Sequence, residues 1–292
     1  GELRDFSIAD TAKVDRIFLV DKESRAVDLT RSENNQWLVN GQYNADKHSV
    51  NRLLETMKRM TIKNPVARSA QENILKRLAT KSVKVEVYQG LSLEKVYYIG
   101  GVTQNQQGTY AMIEGSDKPF VIEMPGFRGY LSSRFHTNER TWRSPRIFAF
   151  NESDINEISV NVGRVSSQSF SVKVKGKNNY ELYNNTHALA KQFDTIVVRR
   201  FVREFNRKFF SSYVPFVNKE MVDSVYQSPY LYRYNVSLND GRQVSLSIHK
   251  IKDYVADELD EVSLLNGIIN KTDWVNIQTH IFAPMFKELD DF

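Results

Sequence analysis

The sequence predicts an α+β protein made of two tandem copies of a strands-helices-strands-helix unit, residues 1–146 and 147–292. Three observations predict it. An ordered set of segments recurs at a spacing close to half the 292 residues, apolar residues alternate in short runs, and longer runs carry them at helical spacing. Alternation puts one side of a strand on a core, whereas spacings of three and four put one stripe of a helix there.

The first copy opens with Phe6-Ser-Ile-Ala-Asp10 and Val14-Asp-Arg-Ile17-Phe-Leu19, echoed by Phe148-Ala-Phe-Asn-Glu152 and Ile155-Asn-Glu-Ile158-Ser-Val160. A second strand follows in each, Ala26 to Leu29 and Phe170 to Val174, and then a short aromatic one, Gln36-Trp37-Leu38-Val39 and Tyr180 to Tyr183. After an Asn-rich turn, Val50, Leu53, Leu54, Met57 and Met60 mark a helix. Leu189, Phe193, Ile196, Val197, Phe201 and Phe205 mark its counterpart, which is expected to run on to Phe209.

A second helix is expected in each half. Ser69-Ala-Gln-Glu72 has the spacing of a capping box, in which hydroxyl and carboxylate satisfy orphaned backbone N–H groups, and Asn218 is placed to cap the helix of Met221, Val222 and Val225. Strands resume at Val83–Tyr88, Leu93–Ile99, Tyr110–Ile113 and Phe120–Met124, and at Tyr232–Leu238, Gln243–Ile248 and Trp274–Ile277. Asn239-Asp240-Gly241 signals a tight hairpin, because its residues tolerate positive φ. A short amphipathic segment closes each half, Tyr130–Phe135 and Ile281–Phe286, and Pro145 marks the boundary.

Composition narrows the chemistry. Forty Lys+Arg against 35 Asp+Glu give a net charge of +5, too even a balance to imply nucleic acid. The absence of Cys removes thiol nucleophiles, disulfides and Cys-based metal sites. Five scattered His (His48, His136, His187, His249, His280) lack metalloprotease spacing, and no Gly-x-Ser-x-Gly elbow occurs. No enzyme activity, cofactor or metal is therefore expected. No run approaches the ~20 apolar residues of a bilayer span. The opening Gly1-Glu2-Leu3-Arg4, with neither Met nor a signal core, reads as a chain trimmed after a leader or anchor.

Arg199, Arg200, Arg203 and Arg207 project into one arc of the second copy's helix and form a candidate site for an anion or a partner, since guanidinium offers a fixed fork of donors. The competing reading is a solvated helix face. Tyr230, Tyr232 and Tyr234 alternate, so they share one sheet face and form a candidate aromatic platform, with core packing as the alternative. His136, Arg134, Glu139, Arg140 and Arg143 make the connection between copies polar and charged. Asp290-Asp291, and Asp257-Glu258 with Asp260-Glu261, read as solvated acidic patches, and Gly100-Gly101 and Gly126-Phe-Arg-Gly129 as turn geometry.

Several blocks occur together in order: Val14-Asp-Arg-Ile17 before Trp37-Leu-Val-Asn-Gly41, Asn64-Pro-Val-Ala67, Val121-Ile-Glu-Met-Pro-Gly-Phe-Arg-Gly-Tyr-Leu131, Thr141-Trp-Arg-Ser144, Asn266-Gly-Ile-Ile269 and Asp273-Trp-Val275. Through them the whole chain resembles the bacterial domain-of-unknown-function family 4340, in the form seen in Bacteroidetes-type envelope proteins. The resemblance implies a leader-bearing or lipid-anchored protein of the periplasm or cell envelope, beside gliding-motility-type ABC transporter components. It supplies no catalytic residues.

The expected function is thus a non-enzymatic extracytoplasmic binding or scaffolding module with an envelope protein partner, accessory to an ABC transporter. The alternative is a receptor for an anionic or glycan ligand in the cleft between the copies. Membrane association is expected only through the missing N-terminal leader or anchor.

Overall fold

The computed structural model describes residues 4–227, 229–251 and 264–292. They form two compact units, Gly1–Ser144 and Pro145–Phe292.

The first unit contains β1 (Arg16–Val20), β2 (Ala26–Arg31), β3 (Trp37–Val39), β4 (Tyr43–Asn44), α1 (Lys47–Arg59), β5 (Thr61–Pro65), α2 (Arg68–Lys81), β6 (Val83–Gln89), β7 (Ser92–Val102), β8 (Thr109–Ile113), β9 (Phe120–Glu123), a 3-10 turn at Ser132–Arg134, and α3 (Glu139–Trp142). Its nine strands form one sheet in the order β4-β3-β2-β1-β6-β7-β8-β9-β5.

The second unit contains β10 (Arg146–Phe148), β11 (Ile155–Val162), β12 (Phe170–Gly176), β13 (Asn179–Asn184), α4 (Thr195–Arg203), β14 (Lys208–Phe209), β15 (Ser212–Tyr213), α5 (Lys219–Gln227), β16 (Tyr232–Leu238), β17 (Gln243–His249), β18 (Leu264–Ile269), β19 (Asp273–Gln278), α6 (Thr279–Phe282) and a 3-10 turn at Ala283–Met285. Eight strands form a sheet in the order β13-β12-β11-β16-β17-β18-β19-β15, and β10 pairs with β14.

The α+β class with its strands-helices-strands-helix unit is therefore corrected. Antiparallel sheet dominates the chain and the helices are few and short, the longest having 14 residues. Sequence periodicity weighted each helix as a structural layer. In the structure, hairpin-connected strands carry the framework and the helices pack on it.

Alternation has the expected cause. In β6, Val85 and Val87 are buried while Lys84 and Glu86 stay half-exposed on the other face. In β11, Ile158, Val160 and Val162 point inward. The Asn239–Gly241 turn forms, with Gly241 at φ +89 and its N–H donating to Leu238 O.

Helix α1 begins where the Asp46 carboxylate accepts from Ser49 N–H, and α4 where Asp194 accepts from Ile196 N–H. Helix α1 buries Val50, Leu53 and Met57, and α4 buries Val198, Phe201 and Val202. Phe201 packs edge-on against Phe170, Phe205 and Phe292 at 5.4–5.6 Å between ring centres. Helix α2 starts at Arg68 with no side-chain cap, so the expected Ser69–Glu72 box does not form. Asn218 does cap α5, its Oδ1 accepting from Met221 N–H.

Helix α4 stops at Arg203, short of the expected reach to Phe209. Residues Glu204–Asn206 form a 3-10 turn and the chain re-enters β structure at Lys208. Phe205 still fills the core, and tightening the turn after it brings Lys208 and Phe209 into register against β10.

Candidate functional site

The arginines expected to share one helix face divide into two groups. Arg199 and Arg203 lie one turn apart on α4, and both act electrostatically on the Tyr180 phenol of β13. Arg200 is exposed. Arg207 follows the 3-10 turn at φ −146, off the helix, so the four-residue stripe is broken there. None of the four forms an ion pair among the described residues.

Arg199 is half-buried against the β12–β13 turn. One terminal nitrogen donates to Asn178 Oδ1 at 3.5 Å, a long bond, and its Nε is buried with no acceptor. Asn178, held at φ +57, donates its own N–H to Glu152 Oε1 at 2.9 Å. The Tyr180 hydroxyl donates to the same oxygen at 2.7 Å. Burial first, and the Glu152 bond second, raise the Tyr180 pKa, while Arg199 and Arg203 pull it down. Tyr180 is thus a neutral donor fixed between a carboxylate and two guanidinium groups.

Beside this cluster lies an open groove of about 530 Å³, whose polar lining includes Asn151, Glu152, Ser153, Lys175, Lys177 and Asn239. The groove presents two lysines beside the Glu152 carboxylate, and the Arg199 and Arg203 guanidinium groups lie next to it near Tyr180. It offers no nucleophile with an adjacent base.

The tyrosine platform is corrected. Tyr232 and Tyr234 do share a face, with stacked rings 6.1 Å apart, but that face is the core. Tyr232 stacks on Phe286 at 4.9 Å, and burial pushes its phenol up to about 12. The Tyr234 hydroxyl donates to Met285 O at 2.8 Å. Tyr230 is half-exposed, and the Arg233 guanidinium covers its ring at 4.3 Å. A glycan-stacking surface therefore does not form from these three residues.

Several of the remaining sequence candidates make contacts within the fold. Arg143 pairs with Glu139 and lies over the Tyr43 ring. Asp290 accepts from Gln168, and Asp291 accepts from Glu288 N–H. Gly126 (φ +82) and Gly129 (φ +137) shape the loop after β9, and Gly100 lies within β7 against Leu78. Asp257-Glu258 and Asp260-Glu261 lie outside the described residues. Among the described residues no three His, Asp or Glu side chains gather as a metal site, and no helix is long and apolar enough to cross a membrane.

The sequence names Arg134 as part of a polar connection and does not reveal the cationic cluster it joins on the first unit. Arg134 lies in the 3-10 turn after β9, close to Arg52 and Arg59 of α1. Helical spacing separates Arg52 and Arg59 by about two turns, but nothing local to either segment signals that Arg134 folds onto them.

Residues 37–227 match the family model described as Domain of unknown function (DUF4340), and the chain belongs to that family. The match begins in β3 and ends with α5, so it includes parts of both units. No curated protein and no solved structure matches the chain.

Proposed function

We propose that the protein is a non-enzymatic binding and scaffolding module of the bacterial cell envelope that engages an acidic partner through the arginine face of α4. One observation carries this reading: the Arg199 guanidinium is half-buried, and among the described residues its Nε has no acceptor and neither it nor Arg203 meets a carboxylate. A buried donor without an acceptor costs about 1–3 kcal/mol, so an incoming carboxylate or phosphate oxygen removes a penalty already present in the free protein. Guanidinium also holds such oxygens in bidentate fashion, which gives orientation as well as attraction. The envelope setting, the Bacteroidetes and gliding-motility relatives and the accessory role at an ABC transporter belong to the same proposal, and the family resemblance supports them.

Calorimetric titration of the full chain with an oligoglutamate peptide at low salt tests the recognition step. Binding is expected, weakening as salt rises. The Arg199→Gln/Arg203→Gln double variant is expected to bind roughly 10- to 100-fold more weakly, the worth of charge-assisted hydrogen bonds. Equal binding by wild type and the double variant would remove α4 from the account. In crosslinked envelope preparations the wild-type chain is expected to retain one stable partner that the double variant loses. A wild-type chain with no partner overturns the scaffolding role.

A further inference from the structure

The first unit carries a half-buried guanidinium that sits near two further arginines and one glutamate of α1. Arg134 donates through Nη1 to Thr56 Oγ1 at 2.8 Å, and the same nitrogen lies 3.9 Å from Met124 Sδ. Its plane rests on the Phe127 ring, 4.3 Å from the ring centre. Thr56 is completely buried, and its hydroxyl is oriented by donating to Arg52 O at 2.6 Å. Among the described residues no carboxylate pairs with Arg134.

Three charged residues of α1 surround it electrostatically. Among the described residues Arg52 makes no ion pair, and Arg59 is held by Glu55 at 2.7 Å and by Pro125 O at 2.8 Å. Glu55, the one acid among them, bonds to Arg59 and acts on Arg134 only through its charge. Burial first, and Arg52 second, lower the pKa of Arg134, and the same two causes lower that of His136. Arg52 is thus close enough to both to raise the local potential.

The second unit shows how this fold neutralises a buried cation without help. Thr56 and Glu204 occupy the same place counted from their helix caps, Asp46 and Asp194. Glu204 pairs with Lys208, which is only 5% exposed and also donates to Ile281 O at 2.8 Å. The last residue of the closing 3-10 turn, Arg134 in the first unit, is the completely buried Met285 in the second. One unit supplies its own carboxylate, and the other presents a guanidinium and a hydroxyl with none.

We propose that Arg134 and Arg52 form an oxyanion site in the first unit, one that takes a single phosphate, sulfate or carboxylate group, with the buried Thr56 hydroxyl holding the Arg134 guanidinium in place. The bound group accepts from the free edges of the two guanidinium groups, and Arg59 acts as a positioning residue that fixes the loop at Pro125. The site is independent of the α4 face and shares no residue with it.

Titration of the full chain with inorganic phosphate, sulfate and acetate, at constant ionic strength, tests this inference. The readouts are calorimetry and the NMR titration of His136, which stacks on Trp142 at 4.6 Å. Saturable binding of at least one of the three ions is expected, with the His136 pKa moving up as that ion neutralises Arg52 and Arg134. Comparison of the three separates a free tetrahedral ion from a carboxylate source. Arg134→Met, which copies the second unit, is expected to weaken binding roughly 10- to 100-fold and to abolish the His136 response. Arg52→Gln is expected to weaken binding while leaving the fold intact, since that side chain is exposed. Arg199→Gln should leave the His136 response unchanged, which separates this site from the α4 face. Failure of all three anions to move His136, or an unchanged response in Arg134→Met, overturns the proposal.

Discussion

Two cations near the ends of equivalent helices are treated in opposite ways. Lys208 in the second unit is buried and ion-paired within its own chain, whereas Arg134 in the first is half-buried and bonded to a hydroxyl. The sheets around them follow one strand order, β3-β2-β1-β6-β7-β8-β9 beside β13-β12-β11-β16-β17-β18-β19. The difference therefore arises from side chains on a common framework. It teaches that one framework can pair a buried cation with its own carboxylate or hold it on a hydroxyl, the choice resting on a few side chains.

The comparison breaks most severely if Glu204 is removed. Glu204→Ala leaves Lys208 buried without its counter-charge, and a loss of about 3–5 kcal/mol is expected in denaturant unfolding. Next in size is Gly163→Ala. A Cβ there would lie 1.7 Å from the Tyr230 carbonyl oxygen, a backbone atom, so strands β11 and β16 would have to separate. A loss of roughly 1–3 kcal/mol is expected. Gly100→Ala in the first unit should cost less, because its nearest obstacle at 2.5 Å is the tip of the Leu78 side chain.

Acid sharpens the comparison through two histidines. Burial first, and Arg233 second, lower the pKa of His249 to about 4. The unfolded chain therefore binds the extra proton first, and stability is expected to fall as pH drops from about 6.5 toward 4, by at most about 1.4 kcal/mol per pH unit. His249→Gln should flatten that slope. His136 is also lowered, so the slope that remains belongs in part to the first unit, and it should shrink when an anion offsets Arg52. The smallest effect is expected for Thr56→Val, about 1 kcal/mol, measured by thermal unfolding, because the hydrogen bond from Arg134 and the one the hydroxyl donates to Arg52 O are both lost.

Much of the sheet was legible locally. Alternation located β6, β8, β11, β16 and β17, because one face of each meets a core. The short edge strands β5, β14 and β15 escaped, since their burial follows no alternation and their pairing with β9, β10 and β19 is set by the tertiary fold. The α+β class failed because helical periodicity reports that a segment can be amphipathic, not how much of the architecture it supplies. Of the site, the shared face of Arg199 and Arg203 followed from helical geometry. The absence of partners, the burial of Tyr232 and Tyr234, and the approach of Arg134 to Arg52 depend on contacts between distant segments.

Thermal unfolding of the full chain, with phosphate replacing chloride at constant ionic strength, measures most directly whether the unpaired guanidinium groups are binding groups. For wild type the midpoint is expected to rise with phosphate concentration. For Arg134→Met it is expected to start higher, with the half-buried charge gone, and to rise less. A wild-type midpoint that ignores phosphate, together with an Arg134→Met chain that unfolds at lower temperature, would contradict the central claim and make Arg134 a packing residue.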